Sequence, residues 1–266
     1  MEPLLPEASF DMSKNQGKKI WFISPSQATG YALALSKAVT EAAKEAGMKA
    51  TVFDGKNQPD RFVSGFTQAV RDGAAGIILY AVNPKLVPEG LKRAKDAGIP
   101  VVTMATGVPT PPDSGIVEEI DHDREAEGRM MANYAAYLTD CKVNGAITLD
   151  STYIGLVTEC DAIEAQLKEL CPDTCTVQDH DAKLATMATD LAPSTQTLIQ
   201  RNPDLNILFA TFDQLATYQI PAVERSRSDV KIVGTNGLPE NLKAVKQGSP
   251  QVADIAYVPP EFFGWL

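Results

Sequence analysis

The chain has 266 residues, 44% of them hydrophobic and 22% charged, with a formal net charge of −10. That length and apolar content suffice for one large or two medium domains with buried cores. The acidic balance and the absence of a basic run exclude a nucleic-acid surface, and no stretch approaches the ~20 apolar residues of a membrane span.

Residues 1–17 are polar and Pro-containing, with no apolar core of the kind a signal peptide needs, and are read as a flexible start. From Lys18 onward one pattern repeats: apolar run, polar turn, helix, then a glycine before the next run. Strands are expected at Lys19–Ile23, Ala50–Phe53, Gly76–Tyr80, Val101–Met104, Gly115–Ile120, Gly145–Leu149, Thr174–Gln178, Ile207–Ala210, Lys231–Gly234 and Gln251–Ala256. Helices are expected at Tyr31–Ala46, Asp60–Asp72, Pro88–Ala97, Asp123–Leu138, Glu159–Leu170, Pro193–Arg201, Gln214–Arg225 and Pro239–Gln247.

The stretch from Arg71 to Thr106 states the pattern most clearly. Its first apolar run ends at Asn83-Pro84, a helix follows, and Ala97-Gly98-Ile99-Pro100 launches Val101 to Met104. Gly98 takes a positive φ at low steric cost and Pro100 keeps Ile99 extended. Both strands read as buried, which makes this a βαβ unit of a parallel sheet.

The alternation implies an α/β protein with helices on both faces of parallel sheets. Ten strands are many for one open sheet, so two domains are expected. Turn formers from Gly107 to Gly115, then a short strand up to Asp121-His122-Asp123, mark the first crossing between them. A second crossing is expected at Tyr257-Val258-Pro259-Pro260. The N-terminal lobe is therefore 18–121 plus 257–266, and the C-terminal lobe 122–256.

All four cysteines fall between Cys141 and Cys175. Zinc is disfavoured, because His180 is the only nearby histidine and the spacing fits no zinc pattern. Cys171 and Cys175, four residues apart at a helix end, lie within the ~4.4 to 6.8 Å Cα range of a disulfide. Their pairing is the first choice, with Cys141 to either of them as the alternative, and disulfide chemistry implies export, to the periplasm or cell exterior.

Catalytic signatures are missing. There is no G-x-G-x-x-G after the first strand, no G-x-S-x-G, no P-loop and only two histidines, so the chain is not expected to be an enzyme or to carry a cofactor or metal.

The ordered series KKIWFISPS, AKEAGMKATVFDG, DGAAGIILYAVNP, AKDAGIPVVTMAT, DREAEG, PDLNILFATFD, VKIVGTNGLPENLKAVKQG and ADIAYVPPEFFGW resembles the type I periplasmic sugar-binding proteins, in the ribose-binding-like branch. The resemblance runs over nearly the whole chain from Lys18. It implies two Rossmann-like lobes joined by three crossings, closing on one small ligand, commonly a sugar, and delivering it to an ABC-type permease as a monomer. It also implies a final helix and strand after Phe262-Phe263-Gly264-Trp265, which are missing where this sequence stops at Leu266. An exported sensor would use the same pocket. The effector half of a LacI-type repressor shares the fold, but would follow a basic helix-turn-helix where only a short polar segment stands.

Ligands of open parallel sheets bind beyond the strands' carboxyl ends. Those loops offer Ser24, Gln27, Thr29, Tyr31, Asn83, Ala105 and Thr106 from the first lobe. The second lobe offers Tyr153, Thr158, Glu159, Phe212, Asp213 and Asn236, and the crossings His122 and Tyr257. Aromatic faces beside amide and hydroxyl groups suit a hydroxylated ligand. Several of these residues have a local reading as well: Asp213 as a helix N-cap, Asn83 as a turn former, Glu159 stabilised at a helix start by the dipole.

Relative to the sugar binders it resembles, the chain has Ala105-Thr106 in place of an Asp-Arg pair, Glu159 near the place of an Arg, Phe212 near an Asn, Asn236 in place of an Asp and Tyr257 near a Gln. A sugar held by bidentate Arg is therefore disfavoured. A polyol, a small sugar derivative or a ligand with a cationic group facing Glu159 is expected instead.

Overall fold

The computed structural model describes residues 12–256, 259, 260 and 264. Among them are ten strands in two five-stranded sheets, with every strand pair parallel. The first sheet has the order β2-β1-β3-β4-β5, formed by β1 (Lys19–Ser24), β2 (Lys49–Asp54), β3 (Gly76–Tyr80), β4 (Val101–Met104) and β5 (Ile116–Ile120). The second has the order β10-β9-β8-β6-β7, formed by β6 (Asn144–Leu149), β7 (Thr176–Asp181), β8 (Ile207–Ala210), β9 (Lys231–Asn236) and β10 (Gln251–Ala256).

Eight α-helices cover the two sheets: α1 (Gly30–Glu45), α2 (Pro59–Arg71), α3 (Pro88–Asp96), α4 (Arg124–Leu138), α5 (Ile154–Leu170), α6 (Met187–Arg201), α7 (Asp213–Ser226) and α8 (Pro239–Lys246). Each sheet is buried on both faces. In the first, Trp21, Ile23, Ile77 and Leu79 pack with Phe62 and Phe66 of α2, while Phe22 packs on the other side with Tyr31, Leu35 and Val39 of α1. In the second, Ile147, Phe209 and Val233 pack with Met131 and Ile163, and Ala146, Leu208 and Ile232 with Leu191 and Leu215. Alternate residues of one strand thus feed two cores, which is why the strands read as unbroken apolar runs.

Most boundaries fall within a residue or two of expectation, but three differ for physical reasons. Strand β7 runs Thr176–Asp181 rather than Thr174–Gln178, because Cys171–Cys175 closes a disulfide turn, Cα to Cα 5.4 Å, and delays the strand. Helix α5 begins at Ile154, five residues before Glu159. Gly155 disguises that start, since glycine disfavours a helix by about 1 kcal/mol. Helix α6 begins at Met187 and contains Pro193 in its interior, where the sequence reading placed the helix start. The segment read as flexible to Gly17 includes a 3-10 turn at Met12–Asn15, and Gly17 donates to the carbonyl of Gly47.

Candidate functional site

The carboxyl ends of both sheets face a cavity of about 730 Å³, lined by loops of each. Following β1, Thr29 caps α1 by accepting from the Ala32 N–H at 3.3 Å, which sets Tyr31 in the first turn, against the cavity. Following β3, Asn83 accepts from the Lys85 N–H at 3.0 Å and keeps a face on the cavity. Ala105 and Thr106 follow β4, and Thr106 Oγ1 donates to Glu119 at 3.0 Å. From the second lobe come Tyr153, Phe212 and Asn236. His122 and Arg124 stand on the crossing after β5, the His122 ring edge-on to Tyr31 with centroids 6.4 Å apart.

Backbone strain gathers here. Asn57 (φ 54°), Ala81 (φ 49°), Ala105 (φ 53°) and Asn236 (φ 137°) are all non-glycine residues at positive φ, and all line the cavity. Such conformations are costly and are retained where a turn must present a group to a site.

The two lobes touch across this cavity. Tyr153 Oη donates to Asn57 Oδ1 at 2.7 Å, joining the α5 start to the loop after β2. Gly107 (φ 67°) packs on the α5 backbone so closely that a Cβ would stand 2.3 Å from the Gly155 Cα. Both contacts depend on α5 beginning at Ile154.

Five of the expected residues are placed elsewhere. Ser24 is fully buried and donates to the Ser26 carbonyl at 2.8 Å, and Gln27 accepts from Ser36 at 2.8 Å, so both knit the loop while Ser26 lines the cavity. Thr158 donates to the Ile154 carbonyl at 3.2 Å and borders a separate shallow depression beside Gly107 and Asp121.

Glu159 has 0% exposure, because the earlier start of α5 carries it into the second turn, against α4. Its carboxylate takes Arg124 Nη1 at 3.1 Å, and the same nitrogen lies 3.6 Å from Glu127. The acid is therefore matched by a guanidinium and does not present a charge to a cationic ligand. Asp213 is not an N-cap; Phe212 holds that position without a side-chain bond, and Asp213 Oδ2 accepts from the Leu238 N–H at 2.7 Å. Tyr257 lies outside the described residues.

Residues missed by the sequence reading are Asn57, Phe62, Arg124, Asp150, Lys183 and Leu184. Asp150 directly follows β6 and was open to the strand-end rule. It organises the mouth by accepting from Leu184 N at 2.9 Å and Thr152 Oγ1 at 2.7 Å. Lys183 and Leu184 escaped because β7 was ended three residues early. The sequence points to a charged group at the α5 start, but the guanidinium that lines the cavity is that of Arg124, the first residue of α4.

Burial and the nearby Arg124 charge hold His122 neutral, with its pKa pushed down to about 3, although Glu127 lies 3.9 Å from Nδ1. That carboxylate's charge is already shared with Arg124. Burial raises Tyr80 to about 12, opposed by Arg124, and raises Tyr153 still further. The phenols remain protonated donors at any physiological pH.

A family model described as a periplasmic binding protein domain matches residues 20–262. The chain belongs to this periplasmic binding protein family. As such it is a binding protein of the type I architecture, not an enzyme. Among relatives of this periplasmic binding protein, the ribose import binding protein RbsB of Bacillus subtilis is 22% identical over 222 residues, 80% of this chain and 68% of that one. RbsB of Haemophilus influenzae is 26% identical over 230 residues, 84% and 74% of the two chains. Among solved structures, a 5-methylthioribose transporter solute binding protein from Thermotoga lettingae has a TM-score of 0.85 at 18% identity, covering 96% of this chain and 80% of the other. An ABC transporter solute binding protein from Agrobacterium vitis with bound allitol has a TM-score of 0.79 at 20% identity, covering 94% and 86%. At those identities the structural likeness establishes the fold. No helix among the described residues is long and apolar enough to cross a membrane.

Proposed function

We propose that this periplasmic binding protein captures a sugar, polyol or related small polar compound outside the cytoplasm and delivers it to an ABC importer. The observation that carries the reading is one cavity walled by the strand-end loops of both sheets, with Tyr31 and Phe212 on opposite lobes. A ligand there contacts both lobes only when they are closed, so its binding energy favours closure about the crossing near His122. Tyr31, Tyr153 and Phe212 supply faces for C–H groups, while Thr29, Asn83, Ala105, Thr106, His122 and Asn236 supply polar edges or room at the backbone. The relatives named for ribose import support the sugar class and the transporter partner.

A ligand present at 100 times its dissociation constant adds ~2.7 kcal/mol of stability to the folded state. A thermal-shift screen against pentoses, hexoses, polyols, amines and nucleosides therefore tests the proposal directly. A rise in melting temperature confined to sugars or polyols supports it, and a rise with amines alone defeats it.

A further inference from the structure

The cavity is larger than a free sugar requires, and its two ends differ in chemistry. A water occupies ~30 Å³ of liquid, so even at that generous volume per heavy atom a hexose of about twelve heavy atoms fills only about half of 730 Å³. The lobes already touch through Tyr153–Asn57 and Gly107–Gly155.

Topology orders the lining. Strands β5 and β10 are edges of the two sheets, β5 leading into the crossing at His122, and β2 and β7 are the opposite edges. At the crossing end stand Arg124, His122, Thr106 and Asn236, which can serve hydroxyl groups. At the far end, the segments after β2 and β7 bring Pro59, Phe62, Leu184 and Ala185 to the cavity beside the polar Asn57 and Lys183, and Leu86 lines it from the segment after β3. Leu86 is 49% exposed and Leu184 is half-buried, two large apolar side chains on opposite lobes facing one space. Asn57 is already engaged by Tyr153, and Lys183 by Asp150 and Asp181. A hydroxyl pressed against the two leucines gains no hydrogen bond from them, whereas an apolar group gains from burial there.

We propose that the preferred ligand is a sugar or polyol carrying an apolar alkyl, alkylthio or aryl substituent, its hydroxylated part at the Arg124–His122 end and its substituent between Leu86 and Leu184. This rests on the sugar-binding reading above. The substituent supplies affinity and selectivity where the sugar binders this chain resembles have an Asp-Arg pair and this chain has Ala105-Thr106.

Calorimetry on the full chain tests it with matched pairs: ribose, arabinose, xylose and galactose, each as the free sugar and as its butyl and phenyl glycosides. The expected result is at least one glycoside bound tenfold or more tighter than its parent. Leu86→Ser and Leu184→Ser, both at partly exposed positions, should each reduce that glycoside-to-sugar affinity ratio at least fivefold. A free sugar that binds as well as or better than every glycoside, or a ratio unmoved by both substitutions, overturns the inference and leaves the sugar reading standing. Binding of no member of any pair overturns the inference, and the sugar reading falls with it if the hexoses and polyols of the thermal screen also give no shift.

Discussion

Tyr153 and Asn57 are 96 residues apart in sequence, yet the Tyr153 hydroxyl donates to the Asn57 side-chain oxygen at 2.7 Å across the mouth of the cavity. This hydrogen bond joins the lobes without any ligand and biases the molecule toward closure. Its net worth is about 1 kcal/mol. Tyr153→Phe keeps the ring and removes the latch, so the radius of gyration in small-angle scattering should rise for the unliganded protein and ligand affinity should fall about fivefold. Unchanged scattering and affinity would show that the bond does not bias closure.

The facing aromatics are expected to anchor the ligand. Replacing Tyr31 or Phe212 by Ala should weaken binding by roughly 2 kcal/mol or more, as truncating a buried aromatic anchor does. Calorimetry with both variants checks this, and undiminished affinity in both would remove them from the site.

Glu159 is a structural partner, not a reader of ligand charge. Glu159→Gln removes the nearer partner of the Arg124 guanidinium, only 11% exposed, and leaves it Glu127 at 3.6 Å. Because one carboxylate remains, the cost is less than the ~3 kcal/mol of a buried charge left alone, about 1 to 2 kcal/mol. Urea denaturation should show that loss, with the preference among neutral ligands preserved.

Two buried groups set opposing slopes of stability against pH. His122 titrates near 6.5 when unfolded and about 3 when folded, because burial and Arg124 disfavour its cation. Its contribution is present above pH 6.5 and is lost as the pH falls toward 3. Asp213 behaves in the opposite sense. Burial and the adjacent Asp254 carboxylate raise its pKa well above the ordinary range, so folding withholds a proton that the unfolded chain releases near pH 4. Stability from this group is complete below that point and declines as the pH rises. His122→Gln should therefore flatten the acid limb of a melting-temperature profile, and Asp213→Asn the alkaline limb. A variant whose profile runs parallel to the parent's would refute the assignment for that residue.

The cysteines give a chemical check. Cys171 and Cys175 are joined, Cys141 is an exposed thiol and Cys160 a buried one whose pKa is raised by burial and by Asp179. One thiol should react with Ellman's reagent in the native protein, and a second only after unfolding. The disulfide removes little entropy from the unfolded chain because its loop is short, so reducing it should cost about 2 kcal/mol.

The alternation of apolar runs, helices and glycines, together with strand-end turns such as Asn83-Pro84 and Ala105-Thr106, was enough to determine two sets of parallel strands and a cleft at their carboxyl ends. Those signals are local: period, turn chemistry and burial of whole strands are written in neighbouring residues. It also placed Tyr31, His122, Phe212 and Asn236 at or just beyond strand ends, and those segments meet at the cavity. Tertiary structure alone decided which side chains of each loop point into that space. Ser24 and Gln27 turn inward to satisfy their own loop, Glu159 is drawn against Arg124 from another helix, and Asn57 meets Tyr153 from the other lobe. A residue's type and its place in a loop bound what it can do. Whether its polar atoms face a ligand or a neighbour is settled by partners far away in sequence, because a buried polar group must be paired and the nearest partner is found in space, not along the chain.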